Sequence, residues 1–484
     1  MSPIAATKLR AMQFACSQFL PALLKRSSDR NLIFLTRVLE QVSRTEHHKT
    51  QLRQLRNLFE TGHPAIELAR KLLNLHPTYR RRIIGGLGVN ATWLGEAKRQ
   101  EFAAREGIYP PFLIVISPTM RCNLRCLGCY AGSYPRRDDD PLSLETLDRI
   151  VTEGKSMGTY FYTISGGEPF LRPDLLDLYE RHTDCVFMVY TNGTRLTDDV
   201  VGRLQRLGNV APAISVEGYE EQTDFRRGRG VYRQVLAAMD RLREAGCFFG
   251  FSATATRLNA DVYLEDEFYN GMIERGCLFG WFFIFVPVGQ DSSPDLMVTP
   301  EQRDRLRAKA HSVRRTRPIF VADFWNDGCL TDGCMSGGQL YFHVNYRGDL
   351  EPCVFMHFAE ENINDIYARG GHLWDVLKSS LFTRVREINR RDPNRLRPCP
   401  IIDHNEWLEE ALAKTSAHPT HEGAEDIVGR LAQPVREWAA QYARLADAAW
   451  ASGEYDWAKQ SIWRRDPAKE VETVGAPPAP QSRC

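Results

Sequence analysis

The 484-residue sequence has no run of about 18 apolar residues, the length a helix needs to cross a bilayer. It has almost no net charge, +1 at pH 7, so no overall field directs it to nucleic acid. Its start, MSPIAATKLRAMQFACSQFLPALLKR, is broken by charges and lacks a small-residue cleavage site, so no secretory signal is expected. No internal repeat marks a solenoid or propeller. Hydrophobic residues at 43% and charged residues at 25% exclude a disordered or fibrous chain. The length suggests roughly two to four folded units.

What stands out is cysteine, with 12 residues. The chain is too long for a small secreted disulfide scaffold. The thiols are therefore expected in a reducing, cytoplasmic setting, where clustered cysteines mean metal binding or catalysis.

The flat net charge hides an imbalance. Residues 1–110 hold 18 Lys and Arg against 8 Asp and Glu. Apolar residues recur there every three or four positions: Leu9, Met12, Cys16, Phe19 and Leu23, then Leu32, Leu35, Leu39 and Val42, then Leu52, Leu55 and Phe59. This predicts a helical, basic N-terminal domain over 1–109. It either packs on the rest of the chain or offers a basic amphipathic surface to a membrane or an anionic partner.

Pro110-Pro111 ends that pattern. Candidate strands follow at 112–117, 160–164, 185–190, 213–216, 248–255 and 281–286, with helical patterns between them. Strands alternating with helices predict an α/β fold with a parallel sheet, here a partial (β/α)6 TIM-like barrel over 110–290. Chemistry in such sheets collects at the carboxyl ends of the strands. Residues 291–403 form a cysteine-rich extension. Residues 404–484 read as a helical segment and a disordered Pro-rich tail.

After the first strand come Cys122, Cys126 and Cys129, spaced C-x3-C-x2-C. Three thiolates on one loop can hold three irons of a [4Fe–4S] cube and leave the fourth open. The second strand ends in Ser165-Gly166-Gly167-Glu168-Pro169, the third in Thr191-Asn192-Gly193-Thr194 and the fourth in Ser215-Val216-Glu217-Gly218. This constellation resembles the radical SAM superfamily.

The resemblance implies an enzyme whose open iron binds S-adenosylmethionine. Reductive cleavage then yields a 5′-deoxyadenosyl radical that abstracts hydrogen from an unactivated C–H bond. It implies that Cys122, Cys126 and Cys129 are the catalytic cluster ligands. It assigns cofactor contacts to Gly128, Tyr130, Gly166, Gly167, Glu168, Pro169, Asn192, Ser215, Glu217 and Arg227. Adjacent glycines permit close backbone approach, the Glu168 carboxylate can face the cofactor ammonium, and Arg227 can clamp its carboxylate. Two positions depart from the family. Gly128 stands where an aromatic usually precedes the third cysteine, and Glu217 stands where relatives often have Asp. An electron donor such as flavodoxin or ferredoxin is implied, and no nucleic acid.

A second set, Cys329, Cys334, Cys353 and Cys399, lies downstream. Cys334 and Cys353 frame C-x13-G-x4-C, with a hairpin predicted about Arg347-Gly348-Asp349. This resembles SPASM and twitch extensions, which implies one auxiliary [4Fe–4S] cluster. Its fourth ligand is Cys329, His357, Asp403, the substrate, or none. Zinc and free thiols are the alternatives. Cys185, Cys247 and Cys277 read as buried small hydrophobes, Cys16 as part of an apolar stripe, and Cys484 as tail.

The substrate is the open question. The helical, basic front and the aromatic run Phe279–Pro287 favour a lipid-like or hydrophobic substrate, with peripheral membrane contact. Peptide or small-molecule modification is the alternative. A non-catalytic iron–sulfur or zinc protein is a third.

Overall fold

The computed structural model describes residues 28–42, 46–135 and 140–459. The stripe from Leu9 to Leu23, the Pro-rich tail and Cys484 lie outside the described residues. The described front is helical: α1 Asp29–Val42, α2 Glu46–Glu60, α3 Pro64–Leu73 and α4 Pro77–Ile83, then a π-helical stretch at Ile84–Leu94 and α5 Gly95–Glu106.

Seven parallel strands follow: β1 Leu113–Ile116, β2 Phe161–Ile164, β3 Val186–Thr191, β4 Val210–Ser215, β5 Gly250–Ala255, β6 Phe279–Ile284 and β7 Phe320–Asp323. Between them run α6 Leu144–Met157, α7 Leu175–Arg181, α8 Asp198–Leu207, α9 Glu220–Arg227, α10 Val231–Glu244, α11 Asp266–Glu274 and α12 Pro300–Thr316. Helix α6 illustrates the local logic. The Ser143 hydroxyl accepts the Thr146 N–H at 3.1 Å, Leu147, Ile150, Val151 and Met157 are buried, and Gly158 at φ +95° ends it. Strands β3 and β4 are buried almost throughout, as expected of parallel strands covered on both faces.

The sheet runs past the boundary expected at residue 290. Strand β7 extends it beyond β6, and the hairpin β8 His343–Val344 with β9 Asp349–Glu351 joins the other edge, β8 pairing parallel to β1. The predicted turn is there, with Gly348 at φ +91°. With β10 Phe358–Ala359, β11 Glu361–Asn362 and β12 His418–Pro419 included, the main sheet reads β11-β9-β8-β1-β2-β3-β4-β5-β6-β7, open at both edges, and β10 pairs only with β12. The long helix α13, Ala432–Ala451, packs on α12.

The helical front covers the amino ends of the strands. The His76 N–H donates to Gly246 O at 2.9 Å, Asn90 Nδ2 to Asp184 O at 2.8 Å and Arg99 Nη1 to Gly158 O at 2.8 Å, each acceptor lying just ahead of a strand. Arg82 reaches Thr183 O at 3.3 Å, and Arg99 is buried. Part of the basic character is thus engaged inside the molecule. Among the described residues no helix is long and apolar enough to cross a membrane.

Candidate functional site

At the opposite, carboxyl ends of the strands lies a cavity of about 190 Å³. Cys122, Cys126 and Cys129 line it, as do Gly128, Tyr130, Gly166, Gly167, Asn192, Ser215 and Arg227. Burial pushes the Cys122 and Cys129 thiols up, and neighbouring thiols add to this. Asn192 Nδ2 stands 3.9 Å from Cys122 Sγ and Arg227 Nη1 4.0 Å from Cys126 Sγ, donors that favour thiolates. Among the described residues no three His, Cys, Asp or Glu side chains are posed to hold one metal ion. A cubane puts each thiolate on its own iron, and three cysteines on one loop beside an open cavity fit it.

The glycine pair is required by close packing. A Cβ on Gly166, at φ +100°, would stand 2.4 Å from Thr119 O, and one on Gly167 would stand 2.1 Å from Arg121 O. The end of β2 thereby grips the cysteine loop, through Gly167 N–H to Thr119 O at 2.8 Å and Glu168 N–H to Arg121 O at 2.7 Å.

Glu168 departs from expectation. Its carboxylate does not line the cavity. It accepts the Thr191 hydroxyl at 2.8 Å, the Asn192 N–H at 2.7 Å and the Phe170 N–H at 3.1 Å, so it ties the end of β2 to that of β3. Burial pushes it up despite those donors. Pro169 is likewise buried and outside the cavity lining, at the start of a short 3-10 turn.

Glu217 also sits behind the cavity wall. It is fully buried and accepts Arg226 Nη1 at 2.6 Å, Arg227 Nε at 2.8 Å and the Thr254 N–H at 3.2 Å. Burial raises a carboxyl, yet the two arginines outweigh it and hold Glu217 below the usual range. Glu217 thus holds Arg227, which does line the cavity.

Tyr130 has its hydroxyl on Ser165 and on the Gly166 N–H at 3.1 Å, and its ring meets Phe355 edge-on at 5.3 Å. Gly128 has φ +64°, and a Cβ there would come within 2.5 Å of the Phe285 ring. Phe285, from just beyond β6, fills the space next to the missing side chain.

Sequence reasoning missed much of the wall. Trp281 and Phe283, from the aromatic run Phe279–Pro287 singled out in the sequence, do line the cavity, but Tyr190 and the far-downstream Phe324 and Phe355 were missed. It also missed a buried array behind β1, with Ser117 Oγ 2.7 Å from His343 Nε2 and His343 Nδ1 2.6 Å from Glu351 Oε2. The signal was the alternation in Tyr341–Glu351, which puts His343 opposite Glu351 in the hairpin.

The second set resolves into three. Cys334, Cys353 and Cys399 line a separate cavity of about 20 Å³, with Tyr341, Met335 and Phe324. Cys329, expected as a ligand, is not among them. The short helical turn Gly328–Thr331 turns its thiol to Asn326 O at 4.0 Å, and burial with Asp327 pushes it up to about 12. The other expected fourth ligands are engaged as well. His357 bonds His421 at 2.6 Å and Val354 O at 3.1 Å, and Asp403 is paired with Arg303. Three clustered thiols, two buried and Cys334 half-buried, with each expected fourth ligand engaged elsewhere among the described residues, fit a cluster with one open iron. Cys185, Cys247 and Cys277 are buried as expected.

Comparison with known proteins follows the same lines. The profile of the Radical SAM superfamily matches residues 116–256. The mycofactocin maturase MftC of Mycobacterium tuberculosis (strain ATCC 25618 / H37Rv) is 30% identical over 299 residues, 58% of this chain and 74% of the maturase. The AdoMet-dependent heme synthase of Methanosarcina barkeri (strain Fusaro / DSM 804) is 25% identical over 336 residues, 63% of this chain and 93% of the synthase. Among solved structures, Streptococcus suis SuiB bound to precursor peptide SuiA superposes with a TM-score of 0.51 at 18% identity, over 63% of this chain and 75% of SuiB, a likeness of fold.

Proposed function

The chain belongs to the radical SAM superfamily, and from that premise we propose that this enzyme is a maturase acting on a precursor peptide. The observation that carries the reading is the 30% identity with the mycofactocin maturase across 74% of that protein. When bound, a [4Fe–4S] cluster and S-adenosylmethionine supply a 5′-deoxyadenosyl radical that takes hydrogen from an unactivated C–H bond.

The chain's own part is to hold, aim and exclude water. Cys122, Cys126 and Cys129 hold the cluster. Arg227, steadied by Glu217, offers its guanidinium to the cofactor carboxylate. The backbone at Gly166 and Gly167, with Asn192 and Ser215, supplies polar contacts. Glu168 and Pro169 act one step back by fixing the ends of β2 and β3. The aromatic wall takes the reacting part of the substrate and keeps the site dry. Cys334, Cys353 and Cys399 hold an auxiliary cluster. In this reading the described residues before 110 are a helical cover, 110–290 with the later strands β7 to β9 the core sheet, the rest of 291–403 the auxiliary segment and the described residues after 403 a closing segment. A flavodoxin or ferredoxin supplies the electron in a reducing cytoplasm.

The lipid-like substrate inferred from the basic front is set aside. Arg82 and Arg99 bond the loops ahead of the strands, and the relatives described above are a maturase and a heme synthase. A second reading, action on a tetrapyrrole, is favoured by the 93% coverage of the heme synthase and by the aromatic cavity.

One experiment separates them. The enzyme is reconstituted anaerobically and given S-adenosylmethionine and dithionite, with either the short peptide encoded nearest its gene or iron-coproporphyrin III. The peptide reading expects 5′-deoxyadenosine and a mass change in the peptide. A mass change in the porphyrin alone overturns it in favour of the second reading. No 5′-deoxyadenosine with intact clusters sinks both.

A further inference from the structure

Tyr341 belongs to both cavities. Its side chain lines the large one beside Cys122, Cys126 and Cys129 and the small one beside Cys334, Cys353 and Cys399. Only 2% of it is exposed. Its hydroxyl donates to Cys353 Sγ at 2.8 Å, a short contact for sulfur. Phe324 and Met335 line both cavities as well, but neither side chain carries a donor; Met335 reaches Cys334 only through its backbone N–H. Further donors near these thiols include the Phe355 N–H, 3.4 Å from Cys353 Sγ, the Ser336 hydroxyl, 3.2 Å from Cys334 Sγ, and the Ile402 N–H at Cys399, and none of these three residues lines both cavities.

We propose that Tyr341 is a positioning residue that tunes the auxiliary cluster from the wall of the substrate cavity. The proposal rests on the reading that Cys334, Cys353 and Cys399 hold that cluster. A hydrogen bond to a ligating thiolate stabilises the more negative, reduced state of an iron–sulfur cluster and raises its potential. In a buried site the bond is worth more than in water. A substrate pressing on the Tyr341 ring would alter the bond to Cys353, so occupancy of one site is felt at the other.

The test is an EPR-monitored redox titration of reconstituted wild-type and Tyr341→Phe holoenzyme, with iron counted in both. The expected result is equal iron, about eight per chain for two [4Fe–4S] clusters, and an auxiliary midpoint moved to more negative potential. The shift should reach about tenfold in the one-electron equilibrium, or about 59 mV. Phe324→Leu, which alters the shared wall without removing a donor, should leave the midpoint in place. Equal midpoints in wild type and Tyr341→Phe overturn the proposal. So does loss of about four irons in Tyr341→Phe, which would make the residue scaffold only, and so does an equal shift in Phe324→Leu. About four irons in the wild type would instead overturn the auxiliary-cluster reading beneath it.

Discussion

Arg303 and Asp403 meet in a fully buried, two-pronged pair, Nη1 to Oδ1 at 2.5 Å and Nη2 to Oδ2 at 3.2 Å. The same carboxylate accepts the Cys399 N–H at 3.0 Å, and the Tyr442 ring lies 3.8 Å from the guanidinium. Helix α12 is thereby tied to the loop that carries the third auxiliary thiol. Arg303→Met strands a buried carboxylate and should cost about 3–5 kcal/mol of stability. Urea unfolding checks this. Replacing both partners, Arg303→Met with Asp403→Leu, should cost less than the sum of the single changes, because no charge is left unpaired.

Cysteine substitutions should divide into three classes by iron and by turnover. Cys126→Ala should abolish cleavage of S-adenosylmethionine, since a ligand of the radical-generating cluster is lost. Cys353→Ala should lower iron from about eight to about four per chain and stop product formation while sparing some uncoupled cleavage. Cys329→Ala should leave iron unchanged, because its thiol faces Asn326 and Asp327 rather than the other three. Iron analysis and chromatography of 5′-deoxyadenosine read all three.

Gly128→Ala should loosen the catalytic loop. The position has φ +64°, and the added methyl would strike the Phe285 ring at 2.5 Å. The left-handed backbone alone costs about 1–2 kcal/mol for a residue with a Cβ. The expected outcome is poorer cluster incorporation, with 5′-deoxyadenosine formation falling in proportion to iron. Gly128→Ala with Phe285→Leu should recover part of the loss. Full iron and activity in the single variant would refute the crowding.

Acid should weaken the fold through two histidines. Burial pushes His311 and His357 down to about 4, and in His311 the arginines Arg314, Arg307 and Arg315 add to it. The unfolded chain protonates them near its ordinary value of about 6.5. Their contribution is therefore fully present above about 6.5 and is lost as pH falls toward 4. Each contributes a limiting slope of about 1.4 kcal/mol per pH unit in that window. His311→Leu, against the Tyr455 ring at 5.6 Å, should remove one proton's worth of that slope. Urea midpoints of the apoprotein between pH 7 and pH 4 measure it.

Strands β1 to β6 were readable because buried parallel strands are apolar runs, as in VFMVYT and FGWFFI. Strand β4 starts earlier than expected, at Val210, with Pro212 inside it, a residue that reads as a strand breaker. Strand β7 is only FVAD after a strongly basic helix, too short and mixed to announce itself. The pairing of β8 with β1 joins residues more than 200 positions apart, and periodicity holds no trace of such partners. The motif glycines and the three catalytic-loop cysteines were legible because backbone crowding and ligand spacing are local. Where Glu168 and Glu217 aim was not, because the donors that capture them, Asn192 and Arg226, come from other elements. Cys329 is the same lesson at short range: five residues from Cys334, it is turned away by one helical turn.

The seam between β1 and β8 has a mechanical meaning. Adjacent strands of a ladder lie about 4.8 Å apart and cannot slide without losing their register. One cysteine loop leaves the end of β1, and Cys353 follows the hairpin hung on its neighbour β8. The loops that carry Cys122 and Cys353 therefore start from strand ends of one sheet held in register, and any change in the span between the two thiol sets falls to the loops themselves.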